Sequence, residues 1–220
     1  MADLVKIALV DDHILLRDAL ASILDKYDGF SVILLARHGK ELQEKLQPKQ
    51  LPDLVVLDLD MPVMNGYETA KWLGDHYPSI YVLVLTMYDS EMVMIRLLQL
   101  GVRGCLKKDI HPGELRNAIQ STIDNGYNYF GHSTSKLINL LKDGDSNNPQ
   151  VNSIRLSENE MRFLELASTE LTYKEIAQEM KISPRTVDSF RDSLFTKLNV
   201  KSRVGLVLFA IKNGVKGFNY

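Results

Sequence analysis

The segment from Leu54 to Gly66, LVVLDLDMPVMNG, constrains the fold more than any other part of this chain. Its apolar run before Asp58 is typical of a strand that is buried on both faces, as in the interior of a parallel sheet. Asp58 then stands at the carboxyl end of that strand, and open α/β sheets bind ligands in the crevice beyond these ends. Asp58 is therefore a candidate for chemistry, although an aspartate that only caps the following turn produces the same pattern.

Apolar runs that alternate with helix patterns surround this strand. The predicted strands cover residues 4–10, 30–35, 54–58, 80–85 and 102–107. The predicted helices cover residues 13–27, 40–46, 67–76, 91–100 and 114–125. Such alternation predicts an α/β fold, a doubly wound parallel sheet with right-handed crossovers, for residues 1–126.

Polar side chains end four of the predicted strands. Asp11 and Asp12 follow the first strand, Asp58 the third, Thr86 the fourth and Lys108 the fifth. The carboxyl ends of parallel strands lie at one edge of a sheet, so these groups are expected to converge. Three carboxylates repel one another at short range, which predicts a bound divalent cation, and oxygen ligands on a wet edge favour Mg²⁺. With a hydroxyl and an ammonium opposite, this arrangement suits the acceptance of a phosphoryl group.

Four motifs in order resemble the receiver domain of response regulators: VDDH at 10–13, LDLDMPVMNG at 57–66, LT at 85–86 and LKKD at 106–109. The resemblance implies a flavodoxin-like (βα)5 fold and a phosphoryl group that a sensor histidine kinase donates to Asp58. It also implies a role for each of the other edge residues. Asp12 and Asp58, with Asp11 adjacent and the carbonyl of Asp60, are expected to hold Mg²⁺, while Thr86 and Lys108 bind the phosphate and transmit the switch.

Cys105 stands where that family usually has the aromatic residue of the switch, and so small a side chain cannot fill the same space. A haloacid-dehalogenase-like phosphatase also has two aspartates two residues apart after a strand, as in Asp58 and Asp60. That family needs Thr or Val where Pro62 stands, and it places the motif on the first strand. The phosphatase is thus the weaker alternative, and the chain is not expected to be an enzyme.

The formal charge of −2 is unevenly distributed along the 220 residues. Residues 151–220 carry 11 Lys and Arg against 8 Asp and Glu, a net of +3, and the first 150 carry 15 against 20, a net of −5. This asymmetry predicts two modules with different partners. A single cysteine excludes an internal disulfide, and the opening apolar run is too short for a signal sequence or membrane span, so we expect a cytoplasmic protein without membrane contact.

Residues 127–153 form the expected connector. Residues 133–142 show a weak helical pattern, and the following DGDSNNPQVNS is polar and rich in turn formers. The composition predicts a flexible linker. It does not distinguish a simple tether from a short helix that docks on one of the modules.

Residues 154–220 predict four short helices in a small all-α domain. Ser157 with Glu160 and Thr172 with Glu175 form capping boxes, Ser183 precedes a proline, and Ser202 opens the last helix. The second and third helices are joined by a very short turn. This spacing predicts a helix-turn-helix, whose second helix enters the DNA major groove.

The motifs LSENE, LTYKEIAQEM, ISPRTVDSFRDSLFTKLNV and KSRVGLVLFAIKNG resemble the LuxR-type DNA-binding domain of the NarL/FixJ family. The resemblance implies homodimeric binding to an inverted repeat in double-stranded DNA. The expected DNA contacts are Thr172, Lys174, Ser183, Arg185, Thr186, Asp188, Ser189, Arg191, Asp192, Lys197, Lys201 and Arg203. The expected dimer contacts are Val204, Leu206, Val207 and Ala210.

Two acids on the predicted recognition helix work against DNA binding. Asp188 and Asp192 occupy positions where the family often has basic side chains, and carboxylates repel phosphate, although they can accept from cytosine N4. We therefore expect weak affinity that becomes specific on dimerisation. The favoured function is a two-component transcription regulator; the alternative is a receiver that acts through protein contacts, with an output domain that does not read DNA.

Overall fold

The computed structural model describes residues 4–88, 90–129 and 156–215. The chain divides into two compact units, residues 1–135 and 136–220. Residues 130–153 of the predicted linker, with its short helix, lie outside the described residues. The domain boundaries 1–126, 127–153 and 154–220 therefore stay predictions.

Strands and helices alternate through the first unit. Its elements are β1 (Val5–Val10), α1 (Ile14–Leu24), β2 (Phe30–Ala36), α2 (Gly39–Lys45), β3 (Leu54–Leu57), α3 (Gly66–His76), β4 (Tyr81–Thr86), α4 (Glu91–Gln99), β5 (Gly104–Lys107), α5 (Pro112–Asn125) and β6 (Asn128–Tyr129). The strands form one parallel sheet in the order β2-β1-β3-β4-β5-β6. The predicted doubly wound α/β class is confirmed.

The two-residue strand β6 was not predicted. It pairs with β5 through Gly104 and Cys105, and the amide of Asn128 donates to the carbonyl of Arg103 at 2.7 Å. A strand this short carries no periodic signal, so the pairing depends on the chain that follows α5 passing beside the edge of β5.

All four residues of β3 are buried, as its apolar run predicted. Two apolar clusters cover the two faces of the sheet: one includes Leu57, Leu73 and Leu97, and the other includes Ile7, Leu54 and Ile119. Leu57 pairs with Val10 on one side and Val84 on the other, so neighbouring strands end almost level. The register thus brings the residues that follow β1, β3 and β4 to one edge.

Residues 156–215, the described part of the second unit, contain four helices: α6 (Glu158–Ala167), α7 (Tyr173–Glu179), α8 (Pro184–Lys197) and α9 (Arg203–Lys212). Both predicted capping boxes are present, at Ser157 with Glu160 and at Thr172 with Glu175, and the Ser183 and Ser202 side chains cap α8 and α9. Lys181, with φ of 55°, makes the tight turn between α7 and α8. The small all-α domain is confirmed.

Candidate functional site

The edge of the sheet beyond β1, β3 and β5 brings three charged side chains into direct contact. The Lys108 ammonium lies 2.8 Å from Asp11 Oδ2 and 2.8 Å from Asp58 Oδ2. The Asp58 amide donates to the carbonyl of Val10, and the Lys108 amide donates to the carbonyl of Thr86, both at 2.9 Å. The backbone thereby sets these residues side by side, as the strand-end argument predicted.

Burial dominates the electrostatics of Asp58, whose side chain is 4% exposed. Burial raises its pKa to about 6, while Lys108 opposes the rise and Asp11 adds to it. Burial alone lowers the pKa of Lys108, but the Asp58 and Asp11 carboxylates outweigh it and the pKa is raised. A buried carboxylate thus faces an ammonium that stays charged.

The same edge offers the donor set that a cation needs. One ligand atom from each of Asp11, Asp12, His13 and Asp58 lies within 4.8 Å of the others. Asp12 Oδ1 is a buried oxygen that accepts no hydrogen bond from the described residues, and Asp58 Oδ2 is a buried oxygen whose partner is the Lys108 ammonium at 2.8 Å. A buried carboxylate oxygen without a hydrogen bond, beside two further carboxylates, fits a divalent cation at this edge.

Thr86 and Tyr88 connect the edge to the loop that follows β4. Thr86 is buried, and its hydroxyl accepts a hydrogen bond from the Tyr88 amide at 3.2 Å. The Tyr88 hydroxyl donates to Asp60 Oδ2 at 3.4 Å. Burial, and then Asp60, raises the pKa of Tyr88 to about 12, so the hydroxyl keeps its proton. The role of Tyr88 was missed because a tyrosine in a loop belongs to no periodic pattern.

Cys105 is buried within the cluster on the α3 and α4 face, and Tyr88 packs against that cluster. Burial raises the pKa of the thiol to about 12, so it stays protonated at neutral pH and is a poor nucleophile. Tyr67 and Arg96 lie on the same side of the sheet, with the guanidinium 3.8 Å from the ring centroid. Large side chains from other elements thus lie on the same side of the sheet as Cys105.

The recognition helix α8 holds its acids in ion pairs. Arg191 lies 2.9 Å from Asp188 Oδ1 and 2.9 Å from Asp192 Oδ1. The guanidinium also lies over the ring of Tyr173 at 5.7 Å. Two carboxylates are thus offset in part by one guanidinium, which the sequence pattern alone did not indicate.

Two predicted phosphate contacts have partners inside their own unit. Lys197 binds buried Glu160 at 2.7 Å, and Ser193 donates to the same carboxylate at 2.9 Å. Arg203 donates to the backbone carbonyl of Ala167 at the end of α6, and to those of Thr169 and Leu171 in the loop before α7. The Lys197 and Arg203 side chains thus hold the helices of this unit together, and their contacts with DNA stay predictions.

The other expected DNA contacts that are exposed are Thr172, Lys174, Ser183, Arg185, Ser189 and Lys201; Thr186 is half-buried.

The structure corrects the expected dimer face. Leu206 and Ala210 are fully buried in the core of their own unit, so they are not available to a second copy. Val204 is exposed, and Leu208 and Ile211 extend its face along α9. The error arose because α9 is apolar on nearly every side, so the sequence does not show which stripe faces the core.

Comparison with known proteins assigns both units. Residues 7–120 match the response regulator receiver domain, and residues 155–210 match the luxR family of bacterial regulatory proteins. The chain belongs to the NarL/FixJ family of two-component response regulators. The transcriptional regulatory protein LnrK of Bacillus subtilis is 30% identical over 98% of this chain and its own full length. The oxygen regulatory protein NreC of Staphylococcus carnosus is 31% identical over 97% of this chain and all of its own.

Solved structures of response regulators share the fold. RcsB from Salmonella enterica, bound to the rprA promoter with a phosphomimetic, covers 94% of this chain and 98% of its own with a TM-score of 0.68. RcsB and this chain are 24% identical in sequence, and at this level the similarity supports only the fold. As in the NarL/FixJ family, a receiver precedes a LuxR-type helix-turn-helix in this transcription regulator. No helix in the part of the chain that the structure describes is both long and apolar enough to cross a membrane.

Replacing Lys197 with methionine is expected to raise the pKa of Glu160, which in the native unit lies below its ordinary value of 4.5. In the native unit burial raises this pKa, but Lys197, the Ser157 amide and Ser193 outweigh it, and the net shift is downward. The carboxylate therefore adds to the free energy of unfolding above pH 4.5, and this contribution is lost as the pH falls through the folded pKa. Carbon NMR titration of the Glu160 carboxyl checks the shift.

Lys212→Met is the matched control, because Lys212 is exposed at the end of α9. In that variant the pKa of Glu160 should remain below 4.5. A Glu160 pKa that also remains low in Lys197→Met would show that the ion pair is not its cause.

Proposed function

We propose that Asp58 receives a phosphoryl group from a sensor histidine kinase and that this modification controls DNA binding by the second unit. The observation that carries the proposal is the Lys108 ammonium 2.8 Å from both Asp58 and Asp11, at an edge where Asp12 Oδ1 is buried and accepts no hydrogen bond. A carboxylate in this position can attack phosphorus: a P–O bond forms, the P–N bond to the kinase histidine breaks, and the histidine leaves with the electron pair.

Several groups of this chain prepare the transfer. Lys108 offsets charge on the transferred oxygens, and the Leu59 amide holds Asp58 Oδ1 at 2.8 Å. Asp11, Asp12, Asp58 and the carbonyl of Asp60 are the proposed protein ligands of Mg²⁺. The cation supplies further neutralisation of phosphoryl oxygens when bound. The Asp58 carboxyl is predominantly ionised at neutral pH because its pKa is about 6, so it is available as a nucleophile.

Phosphorylation adds about −1.5 to −2 charges beside Lys108. Thr86 is buried at the end of β4, and its hydroxyl already accepts from the Tyr88 amide. A new anion that accepts a hydrogen bond from the Thr86 hydroxyl would draw this side chain toward Asp58, and the Tyr88 amide that donates to the same hydroxyl would shift with its loop. We propose that the shift passes through the hydrogen bond of Tyr88 to Asp60, because Cys105 is too small to move the surface.

In the second unit we propose that α8 enters the major groove of an inverted-repeat operator, with the expected polar residues of α7 and α8 at the DNA. Val204, Leu208 and Ile211 form an exposed apolar face on α9, and this face is the proposed homodimer contact. Chromosomal DNA as the target places the proposed action in the cytoplasm.

A gel shift on the promoter of the protein's own gene tests the function. We expect retardation that strengthens after treatment with acetyl phosphate and Mg²⁺ and weakens as salt rises. The treated Asp58→Ala variant is the control and should bind like untreated wild type. Absence of binding in every state would favour the receiver that acts by protein contacts.

Replacing Asp192 with asparagine is expected to strengthen binding to DNA of arbitrary sequence by about tenfold at low salt. The change removes one of the two carboxylates that pair with Arg191, and it removes a negative charge from the face of α8. The plot of log affinity against log salt should steepen by about 1, the value for one additional phosphate contact. Fluorescence anisotropy with a labelled duplex measures both quantities.

Asp124→Asn is the matched control, because it makes the same charge change on exposed α5 of the receiver. It should leave affinity and salt dependence unchanged. Equal strengthening by the two variants would assign the effect to net charge rather than to the release of Arg191.

A further inference from the structure

His13 lies against the acidic edge rather than pointing away from it. Its Nδ1 is 3.0 Å from Asp11 Oδ1 and 3.1 Å from Asp12 Oδ1. The His13 amide also donates to Asp11 Oδ1 at 2.8 Å, which holds the backbone of this residue to the same carboxylate. The imidazole nitrogen therefore faces the space that the carboxylates share.

The contacts of His13 do not satisfy the oxygens around it. With its proton on Nδ1 the ring donates to Asp11 Oδ1, whereas Asp12 Oδ1, at almost the same distance, is buried and accepts no hydrogen bond. In the other tautomer the proton is on Nε2, and Nδ1 then presents a lone pair to the same carboxylates. Asp58 is 4% exposed, and its Oδ2 has the Lys108 ammonium as its partner at 2.8 Å. A buried oxygen without a hydrogen bond, 3.1 Å from the imidazole nitrogen, marks a position for a ligand that binds oxygen and nitrogen together.

The charges at this edge are not balanced by the groups that contact them. Three carboxylates against the single ammonium of Lys108 leave a net of −2 before His13 is counted. Ligand atoms from Asp11, Asp12, His13 and Asp58 all fall within 4.8 Å of one another, a separation that one ion can span. A divalent cation satisfies both the charge and the spacing.

Imidazole changes which cation such a site prefers. Mg²⁺ is a hard ion that takes oxygen ligands and keeps several waters, and nitrogen adds little to its binding. First-row transition ions bind imidazole well, and their affinity for mixed nitrogen and oxygen sites rises from Mn²⁺ to Co²⁺. We propose that His13 is a protein ligand of the cation at this edge and gives the site a preference for Mn²⁺ and Co²⁺ over Mg²⁺. The inference rests on the cation site of the proposed function and adds the identity of the cation.

Calorimetric titration of the full-length protein with Mg²⁺, Mn²⁺ and Co²⁺ tests the preference. In His13→Ala we expect the affinities for Mn²⁺ and Co²⁺ to fall by about tenfold or more, and the affinity for Mg²⁺ to change by less than about twofold. His76→Ala is the matched control, because His76 bonds the carbonyl of Trp72 on α3 and lies outside the cluster. It should leave all three affinities unchanged.

Electron spin echo spectroscopy of the Mn²⁺-loaded protein gives an independent readout. Wild type and His76→Ala should show nitrogen modulation from a directly bound imidazole, and His13→Ala should lack it. Equal weakening of the three ions in His13→Ala would assign the ring a hydrogen-bonding role and overturn the inference. A wild-type Mn²⁺ spectrum without nitrogen modulation would do the same.

Asp12→Ala separates failure of the inference from failure of the cation site. If Asp12→Ala abolishes cation binding but His13→Ala leaves the preference among the three ions unchanged, only the role of His13 is overturned. If the wild-type protein binds none of the three ions, or if Asp12→Ala binds them as well as the wild type does, the proposed cation site and the inference are both overturned.

Discussion

An Asp58→Ala variant is expected to show no gain in mass after incubation with acetyl phosphate and Mg²⁺, whereas the wild-type chain gains one phosphoryl group. Asp58 is the buried carboxylate that Lys108 contacts at 2.8 Å, and alanine offers no oxygen to attack phosphorus. Lys108 and the remaining aspartates do not replace this nucleophile. Mass spectrometry of the intact protein measures the result directly.

Asp60→Asn is the matched control for this experiment. Asp60 is two residues further along the same loop, but its carboxylate accepts from Tyr88 and is not among the residues of the acidic cluster. The substitution keeps the backbone carbonyl that is the proposed cation ligand, so the gain in mass should survive. A gain that persists in Asp58→Ala would place the phosphoryl group elsewhere and remove the basis of the signalling function.

Replacing Gly66 with alanine is expected to lower the free energy of unfolding of the receiver by about 3 kcal/mol, at the upper end of overpacking effects. A Cβ at this position would lie 2.2 Å from the carbonyl oxygen of Asp58 and 2.6 Å from the Cα of Leu59. Both are backbone atoms, so the turn after β3 must shift as a whole. The shift should also slow phosphorylation, since it moves Asp58 relative to Lys108.

Urea denaturation followed by the fluorescence of Trp72 measures the stability of this unit. Trp72 is the single tryptophan of the chain and lies on α3, the helix that Gly66 begins. Gly113→Ala is the matched control, because an added Cβ there meets nothing within 4 Å. In helix α5 this change should stabilise the unit by roughly 0.5–1 kcal/mol. An unchanged urea midpoint for Gly66→Ala would show that the turn has room that the structure does not indicate.

Local sequence signals were sufficient for the architecture. The apolar run before Asp58 predicted a strand buried on both faces, and all four residues of β3 are buried. Capping boxes predicted where α6 and α7 begin, because a cap involves only residues three positions apart. Parallel pairing places strand ends at one edge, so the meeting of Asp11, Asp58 and Lys108 also followed from sequence order.

Contacts between residues far apart in the chain could not be predicted from the sequence. Lys197 had the pattern of a phosphate contact, yet its partner Glu160 is 37 residues away on α6. Cys105 indicated that a switch aromatic was absent, but not that Tyr88 would pack on the same cluster and bond Asp60. His13 had the position of a helix start, and only the structure placed its ring nitrogen between two carboxylates.

The sequence by itself determined the two fold classes, the order of the elements and the set of strand-end residues, because these depend on periodicity, caps and the geometry of a parallel sheet. Only the tertiary structure decided which lysine and arginine side chains bind partners within their own unit, which stripe of α9 is exposed and which side chains complete the acidic edge. The physical reason is that a side chain's partner is chosen by packing among elements far apart in the chain, and no local pattern encodes that choice.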